Sequence, residues 1–263
     1  MPDGTARLPA TRRAQLAAHV AEVGQVTVPD LVARFAVSAD TIRRDLDQLA
    51  ADGFVVRTHG GAVSPSSMPR IDSGLNARMQ VHPAAKERIG ALAAGLVENG
   101  HIIVVNGGTT CLALARHLGD HRELTIATNN LRLPMEISPK AFRELYVFGG
   151  DVRFHAQATV GPVAFPRGGG RDMEIRCDLA LITVGGVSAD GFSTSNLAEA
   201  TMMREMMQRA AKVVVLADSS KFERTLFAQI APLDAADVLV TDRTPGPHLA
   251  AQLRRLGVSV LTG

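Results

Sequence analysis

Up to Val63 the apolar residues recur with a helical period. Pro9 to Val23 predicts an amphipathic helix with Leu16, Val20 and Val23 as its apolar positions and Gly24 closing it. Val28 to Phe35 predicts a short helix, with Thr27 as N-cap and Pro29 in the first turn. Only Ala36-Val37 separates it from Ser38, a second N-cap, after which Ile42, Leu46 and Leu49 fall at i, i+4 and i+7 and define one buried face. Gly53 suits the C′ position of that helix. Thr41, Arg44, Asp45 and Gln48 are expected to point away from the buried face, with Arg43 at its edge. Phe54 to Thr58 is strand-like, His59-Gly60-Gly61 turns, and Ala62-Val63 begins a return; Gly60 is expected to need positive φ.

Residues 1–8 form an arm, and S-P-S-S-M-P-R-I-D-S-G at 64–74 is a linker by its Ser, Pro and Gly content. The domains are therefore expected at 8–63 and 75–263. In the second, the pattern changes to helices alternating with short β-branched runs. Helices are expected at Pro83–Glu98, Thr109–Leu118, Leu131–Ser138, Leu197–Ala210 and His248–Leu256. Strands are expected at His101–Val105, Leu124–Thr128, Leu145–Phe148, Leu179–Val184, Val213–Ala217 and Val238–Thr241. Such alternation implies an α/β domain with a mainly parallel sheet covered by helices. Arg167-Gly168-Gly169-Gly170-Arg171 is expected to be a loop.

Two short helices joined this closely form a helix-turn-helix whose second helix reads the major groove, and the hairpin after it is a wing. The exposed Arg, Thr and Gln side chains have the hydrogen-bonding chemistry of base edges and phosphates. V-S-A-D-T-I-R-R-D-L-D-Q-L followed by R-T-H-G-G-A resembles the winged helix-turn-helix of DeoR-family bacterial transcription regulators. The candidate DNA contacts are Thr27, Ser38, Asp40, Thr41, Arg43, Arg44, Gln48, Arg57, His59, Gly60 and Gly61, and the expected partner is double-stranded operator DNA.

Charge qualifies this reading. The whole chain carries +2, and residues 1–70 hold eight Arg and no Lys against seven Asp and Glu, so the DNA-binding part is about neutral. Modest non-specific affinity is expected, with the cations that matter gathered at Arg43, Arg44 and Arg57. With 46% hydrophobic and 21% charged residues, the composition is that of a soluble globular protein. No apolar run is long enough to cross a bilayer, and M-P-D-G-T-A-R-L-P-A-T-R-R has no apolar signal core, so a cytoplasmic protein without membrane contact is expected. Cys111 and Cys177 are expected to be buried free thiols. His117, His121 and His155 lack metal-ligand spacing, and no metal or cofactor is expected.

Four polar turns follow strands of the second domain. They are Asn106-Gly107-Gly108-Thr109-Thr110, Thr128-Asn129-Asn130, Gly149-Gly150-Asp151 and Asp218-Ser219-Ser220-Lys221. In open α/β sheets ligands bind at the carboxyl ends of strands, and a glycine-rich turn opening a helix offers free N–H groups and a favourable dipole to an anion. There is no Walker or dinucleotide fingerprint, so a small-anion pocket is expected. Gly185 and Glu199 complete the candidate effector residues, while Asp178 suits either a pocket or a cap.

G-G-T-T, T-N-N, F-G-G, V-G-G-V-S-A-D-G-F, N-L-A-E-A and L-A-D-S-S-K-F are similar to the effector-domain blocks of the same family. That resemblance implies a sugar-phosphate isomerase/CoA-transferase-like fold, a phosphorylated sugar or polyol effector, and a homo-oligomer, dimer or tetramer. The family usually has Asp where this chain has Asn106, an acidic residue at Asn196 and Lys at Met203. Phe165–Met173, often helical in relatives, is glycine-rich here. The reading is a transcription regulator, a repressor responsive to a phosphorylated metabolite. Two alternatives stay open: a sugar-phosphate isomerase or transferase with a DNA-binding appendage, and a constitutive DNA-binding protein whose second domain only oligomerises.

Overall fold

The computed structural model describes residues 9–51, 54–58, 60–63, 74–165 and 173–263. The expected arm at 1–8, the Gly53 cap, His59, the body of the linker and the Arg167–Arg171 loop lie outside these residues. The chain divides into two compact units, Met1–His82 and Pro83–Gly263.

The first unit runs α1 (Pro9–Val23), β1 (Gln25–Thr27), α2 (Val28–Phe35), α3 (Ala39–Ala51), β2 (Val56–Thr58), β3 (Gly61–Val63) and α4 (Leu75–Met79). Leu16, Leu31, Ile42 and Leu46 are fully buried and form the centre of its core, each contributing about 1.5–3 kcal/mol. Thr27 caps α2 by accepting from Asp30 N at 3.3 Å, and Ser38 caps α3 by accepting from Thr41 N at 3.2 Å. The turn between them is made by Ala36 in the left-handed region, φ 52°, with its N–H bonded to Val32 O.

Three details depart from expectation. The wing is a three-stranded antiparallel sheet in the order β1-β3-β2, because Gln25–Thr27 pairs with Gly61–Val63. Asp45 is buried rather than outward-facing: its carboxylate accepts from Arg12 Nε at 2.6 Å and ties α3 to α1. That hydrogen bond raises the Arg12 pKa above its ordinary value. Gly60 has open space around it and no positive φ; the constrained glycine is Gly61, where a Cβ would meet Val26 O at 1.9 Å.

The second unit contains α5 (Pro83–Ala94), β4 (Ile102–Val105), α6 (Thr109–His117), β5 (Leu124–Thr128), α7 (Leu133–Glu136), β6 (Phe142–Val147), β7 (Asp151–Arg153), β8 (Ala158–Val160), β9 (Ala164–Phe165), β10 (Met173–Glu174), β11 (Cys177–Thr183), β12 (Gly186–Ser188), β13 (Gly191–Thr194), α8 (Leu197–Gln208), β14 (Ala210–Leu216), β15 (Ala228–Ala231), β16 (Val238–Thr241), α9 (Pro247–Arg255) and β17 (Ser259–Thr262). Seven strands form one parallel sheet in the order β17-β16-β14-β11-β4-β5-β6. Small antiparallel sheets, β12-β13-β15, β7-β8 and β9-β10, are added to it.

The strand order reverses between β4 and β11. The chain leaves β4 towards β6, then returns to lay β11 on β4's other side, and a crevice opens at such a reversal. Asn106 closes the bottom of this crevice. It is fully buried; its Nδ2 donates to Thr183 O at 2.9 Å while its Oδ1 accepts from Thr183 N at 2.8 Å. Only an amide can both donate and accept here, so Asn106 bridges the ends of β4 and β11 where a carboxylate would oppose a carbonyl.

Two predictions follow from these contacts. Asn106→Asp should cost about 2–3 kcal/mol at neutral pH, because a buried acid faces Thr183 O. Burial and the opposed carbonyl raise the folded pKa of the new acid, so the loss is smallest below its unfolded pKa of about 3.9 and grows as pH rises towards the folded value. Denaturant unfolding at about pH 4 and about pH 7 measures this, and a pH-independent loss contradicts the bridge. In the wing, Gly61→Ala should collapse the β1–β3 pairing and lower DNA affinity, whereas Gly60→Ala should leave the melting temperature within about 1 °C of the parent.

Candidate functional site

In the first unit, α2, α3 and the wing present one set of groups. Arg43 is paired with Asp40 at 2.9 Å, both exposed. Arg57 donates from Nε to Asp47 Oδ1 at 2.8 Å and from its guanidinium to Gly61 O, which joins the reader helix to the wing. Thr27 and Thr41 are engaged by the caps, through Asp30 and Ser38. Arg44 is exposed and has no side-chain partner among the described residues, while Gln48 is exposed and engaged. A groove of about 490 Å³ is lined by Val28, Pro29, Val32 and Ala33 of α2, Ala39 and Arg43 of α3, and Arg57 and Gly60. The near-neutral charge of this unit thus has a structural expression: its carboxylates hold arginines in place, Asp45 on Arg12, Asp40 on Arg43 and Asp47 on Arg57.

In the second unit, the crevice lies over the start of α6. Gly108 is the N-cap, so no side chain caps the helix. The N–H groups of Gly108, Thr109 and Thr110 have no acceptor among the described residues. Such groups carry the positive end of the helix dipole. The Thr110 hydroxyl has no partner either, although the residue is 6% exposed. Helical side chains lean towards the N-terminus, which brings that hydroxyl to the open end. Both glycines are dictated by close approach. A Cβ on Gly107 would lie 2.9 Å from Ala158 Cβ, and one on Gly108 2.3 Å from Thr183 Oγ1.

A ring of contacts closes around this helix end. Thr183 Oγ1 donates to Gly107 O at 3.2 Å. Two residues on, Gly185 donates to Ser193 O at 2.9 Å. Thr194 Oγ1 then donates to Glu199 Oε2 at 3.2 Å, and Glu199 Oε1 accepts from the Arg153 guanidinium. Arg153 pairs across the β7–β8 hairpin with Ala158, which rests against Gly107. Beside it, Asn129 accepts from Gly107 N at 2.7 Å and donates to Thr159 O at 2.7 Å.

The expected effector residues therefore divide. Gly108, Thr109 and Thr110 offer open donors, and Gly185 and Glu199 belong to the ring. Asn106, Thr128, Asn129 and Asn130 build it: Thr128 Oγ1 donates to Val105 O at 2.6 Å, and Asn130 Nδ2 to Gly108 O at 3.4 Å. The N–H of Gly107 is taken by Asn129. Gly149 and Gly150 start the β7–β8 hairpin; Gly150, φ +123°, lies where a Cβ would meet Val160 O at 2.3 Å. Ser220 and Lys221 are engaged by Asp218, the ammonium at 4.0 Å and the hydroxyl by a short hydrogen bond. Asp178 accepts from Ile102 N at 2.7 Å, at the amino end of β4, and so is a cap. Arg153, Thr183 and Thr194 were not among the expected residues. Arg153 is the cation in the ring, and its trace in the sequence is the polar-apolar alternation Asp151-Val152-Arg153 after the glycine pair.

Two of the departures from the family pattern are occupied by structural residues. Asn196 caps α8 by accepting from Glu199 N at 3.0 Å, and Met203 is buried in the core. Both cysteines are buried and free; desolvation pushes the Cys111 thiol up to about 12 and Cys177 to about 11, so neither is a thiolate at neutral pH. Among the described residues no group of three or more His, Cys, Asp or Glu could hold a metal ion, and no helix is long and apolar enough to cross a membrane.

Comparison with known proteins agrees with this division of the chain. Residues 12–68 match the model of the DeoR-like helix-turn-helix domain, and residues 81–243 that of the DeoR C terminal sensor domain. The chain is 33% identical to the HTH-type transcriptional repressor GlcR of Bacillus subtilis, over 90% of each chain. It is 31% identical to the HTH-type transcriptional regulator GlpR of Haloferax volcanii, over 97% of this chain and 98% of the other. It is 30% identical to the glycerol-3-phosphate regulon repressor of Escherichia coli, over 86% and 88%. With a winged helix-turn-helix unit, a parallel α/β sensor unit and relatives matched across nearly their whole length, the chain belongs to the DeoR family of DNA-binding transcriptional regulators.

Proposed function

We propose that this regulator represses an operon for catabolism of a sugar or polyol, and that a phosphorylated sugar-type metabolite sets its affinity for operator DNA. It acts in the cytoplasm as a homo-oligomer, whose repeated reader helices match a pseudo-palindromic operator. The observation that carries the effector reading is the start of α6. Among the described residues, three consecutive N–H groups and the hydroxyl of Thr110 lack partners at the reversal point of a parallel sheet, which is costly unless an anion or water meets them. The names of relatives supply the class of compound, since one represses a glycerol-3-phosphate regulon.

An enzyme is disfavoured by the same geometry. A general base must reach the bound substrate. Asn106 cannot be one, and its amide is consumed by Thr183; the Glu199 carboxylate is held by Arg153 and Thr194.

On the DNA side, Arg44 is the exposed cation of α3 that no carboxylate restrains among the described residues, and it is proposed to meet a base edge or an adjacent phosphate. Arg44→Ala should weaken operator binding by about 1–3 kcal/mol without lowering the melting temperature. Unchanged affinity at fixed salt removes α3 as the reader. On the effector side, titrating operator complexes with paired free and phosphorylated sugars should show the phosphate acting at lower concentration, because only it uses the dipole and open donors of α6. If the free sugar is the more potent, the start of α6 is a tight turn and nothing more.

A further inference from the structure

We infer that Arg153 is the cation that selects an anionic effector, and that Glu199 holds it in position and competes with the effector for it. This rests on the anion reading of α6 and adds the charge that reading lacks. Lys221, the other candidate cation, faces the buried carboxylate of Asp218 at 4.0 Å.

The placement follows from the ring. Arg153 lies opposite Ala158 in the β7–β8 hairpin, and facing residues of an antiparallel pair have Cα atoms about 5 Å apart. Ala158 is the residue that excludes a side chain from Gly107, directly before the open N–H groups. An arginine at this position thus starts within one side-chain length of the helix end. Its guanidinium is partly buried, with 25% side-chain exposure, and lies against a carboxylate with 16%. Glu199 is itself fixed, since Thr194 Oγ1 donates to its other oxygen and it sits in the first turn of α8 behind the Asn196 cap. Thr110, a residue only 6% exposed whose hydroxyl has no partner among the described residues, points independently to a ligand at the same helix end.

A guanidinium presents five donors in a planar fork, so a phosphate can meet it by sharing or displacing the groups that hold it. A phosphate dianion, drawn also by the helix dipole, competes with the Glu199 carboxylate for the guanidinium. A neutral compound cannot, and leaves the pair closed. Glu199 therefore sets the threshold: it keeps the cation oriented and makes weakly charged compounds poor competitors.

Titration calorimetry of the full chain with inorganic phosphate tests the assignment, with unfolding monitored by circular dichroism in parallel. Arg153→Gln should weaken phosphate binding by about tenfold or more, the usual effect of losing a charge-assisted contact. Arg153→Lys should retain part of it. Glu199→Gln should tighten phosphate several-fold by removing the competing charge, even where it lowers the melting temperature. A merely structural ion pair would change stability and leave phosphate affinity alone, and that result overturns the proposal. Thr110→Asp separates the two readings, because it places a carboxylate at the helix end. If Thr110→Asp abolishes phosphate binding and Arg153→Gln does not, α6 binds the anion without Arg153 and this assignment is wrong. If neither variant matters, or neither the parent chain nor Glu199→Gln binds phosphate, the anion reading fails and the assignment fails with it. Should Arg153→Gln not fold, Arg153→Lys and Glu199→Gln carry the test, and unchanged affinity in both rejects it.

Discussion

The sensor unit depends on what happens between two strand ends. β4 and β11 are neighbours in space but 77 residues apart where Asn106 meets Thr183 at their carboxyl ends. Where they diverge, buried backbone groups would lose their partners, and one amide side chain replaces them. With Asn106 committed downward, the following turn must rise steeply into α6. Thr183 and Ala158 crowd it from two sides, so only glycine fits at 107 and 108. Glycine at the cap position then has a consequence: the helix begins without the side-chain acceptor that Ser38 supplies to α3 and Thr27 to α2. The openness of α6 is thus the result of packing around the crevice. An anion or water can make up the missing hydrogen bonds.

How much of this was legible in the sequence depends on how local the cause is. The helix-turn-helix was legible because caps, apolar spacing and turn residues all act within a few positions, and Thr27, Ser38, Ile42 and Leu46 do what their types imply. The parallel sheet was legible because alternating β-branched runs and helices permit few other arrangements. The errors arise where a distant partner decides. Asp45 turns inward because Arg12 waits 33 residues earlier, and the helical period alone places it outside. Gly61 is constrained by Val26 O on β1, a neighbouring strand that no pattern announces in a segment of three residues. The polar turns do follow the carboxyl ends of β4, β5, β6 and β14, but residue type cannot tell an amide open to a ligand from one consumed by the fold. Thr128, Asn129 and Asn130 spend their hydrogen bonds on Val105, Gly107, Thr159 and Gly108. Arg153 was missed for the same reason, since Glu199 lies 46 residues away.

Both units handle positive charge in one way, which explains why a nucleic-acid-binding chain has a net charge of only +2. Arg43, Arg57 and Arg153 each rest on a carboxylate, Asp40, Asp47 and Glu199. The exposed Arg43–Asp40 pair adds little stability, because water competes for both partners. Its effect is on geometry and on selection. The carboxylate restricts the side chain's rotamers, so less entropy is lost when a phosphate arrives. It also subtracts from every electrostatic attraction, so weak or diffuse anions gain nothing by approaching. Non-specific attraction is low on such a surface, and binding depends on groups that can displace or share the carboxylate from a fixed direction. A phosphodiester of the DNA backbone is a monoanion with two free oxygens and a metabolite's phosphomonoester a near-dianion with three, but both offer anionic oxygens to a guanidinium. On the proposed reading, one chemical device serves at the wing, where Arg57 is tied to Asp47 and Gly61 O, and near the start of α6, where Arg153 is tied to Glu199.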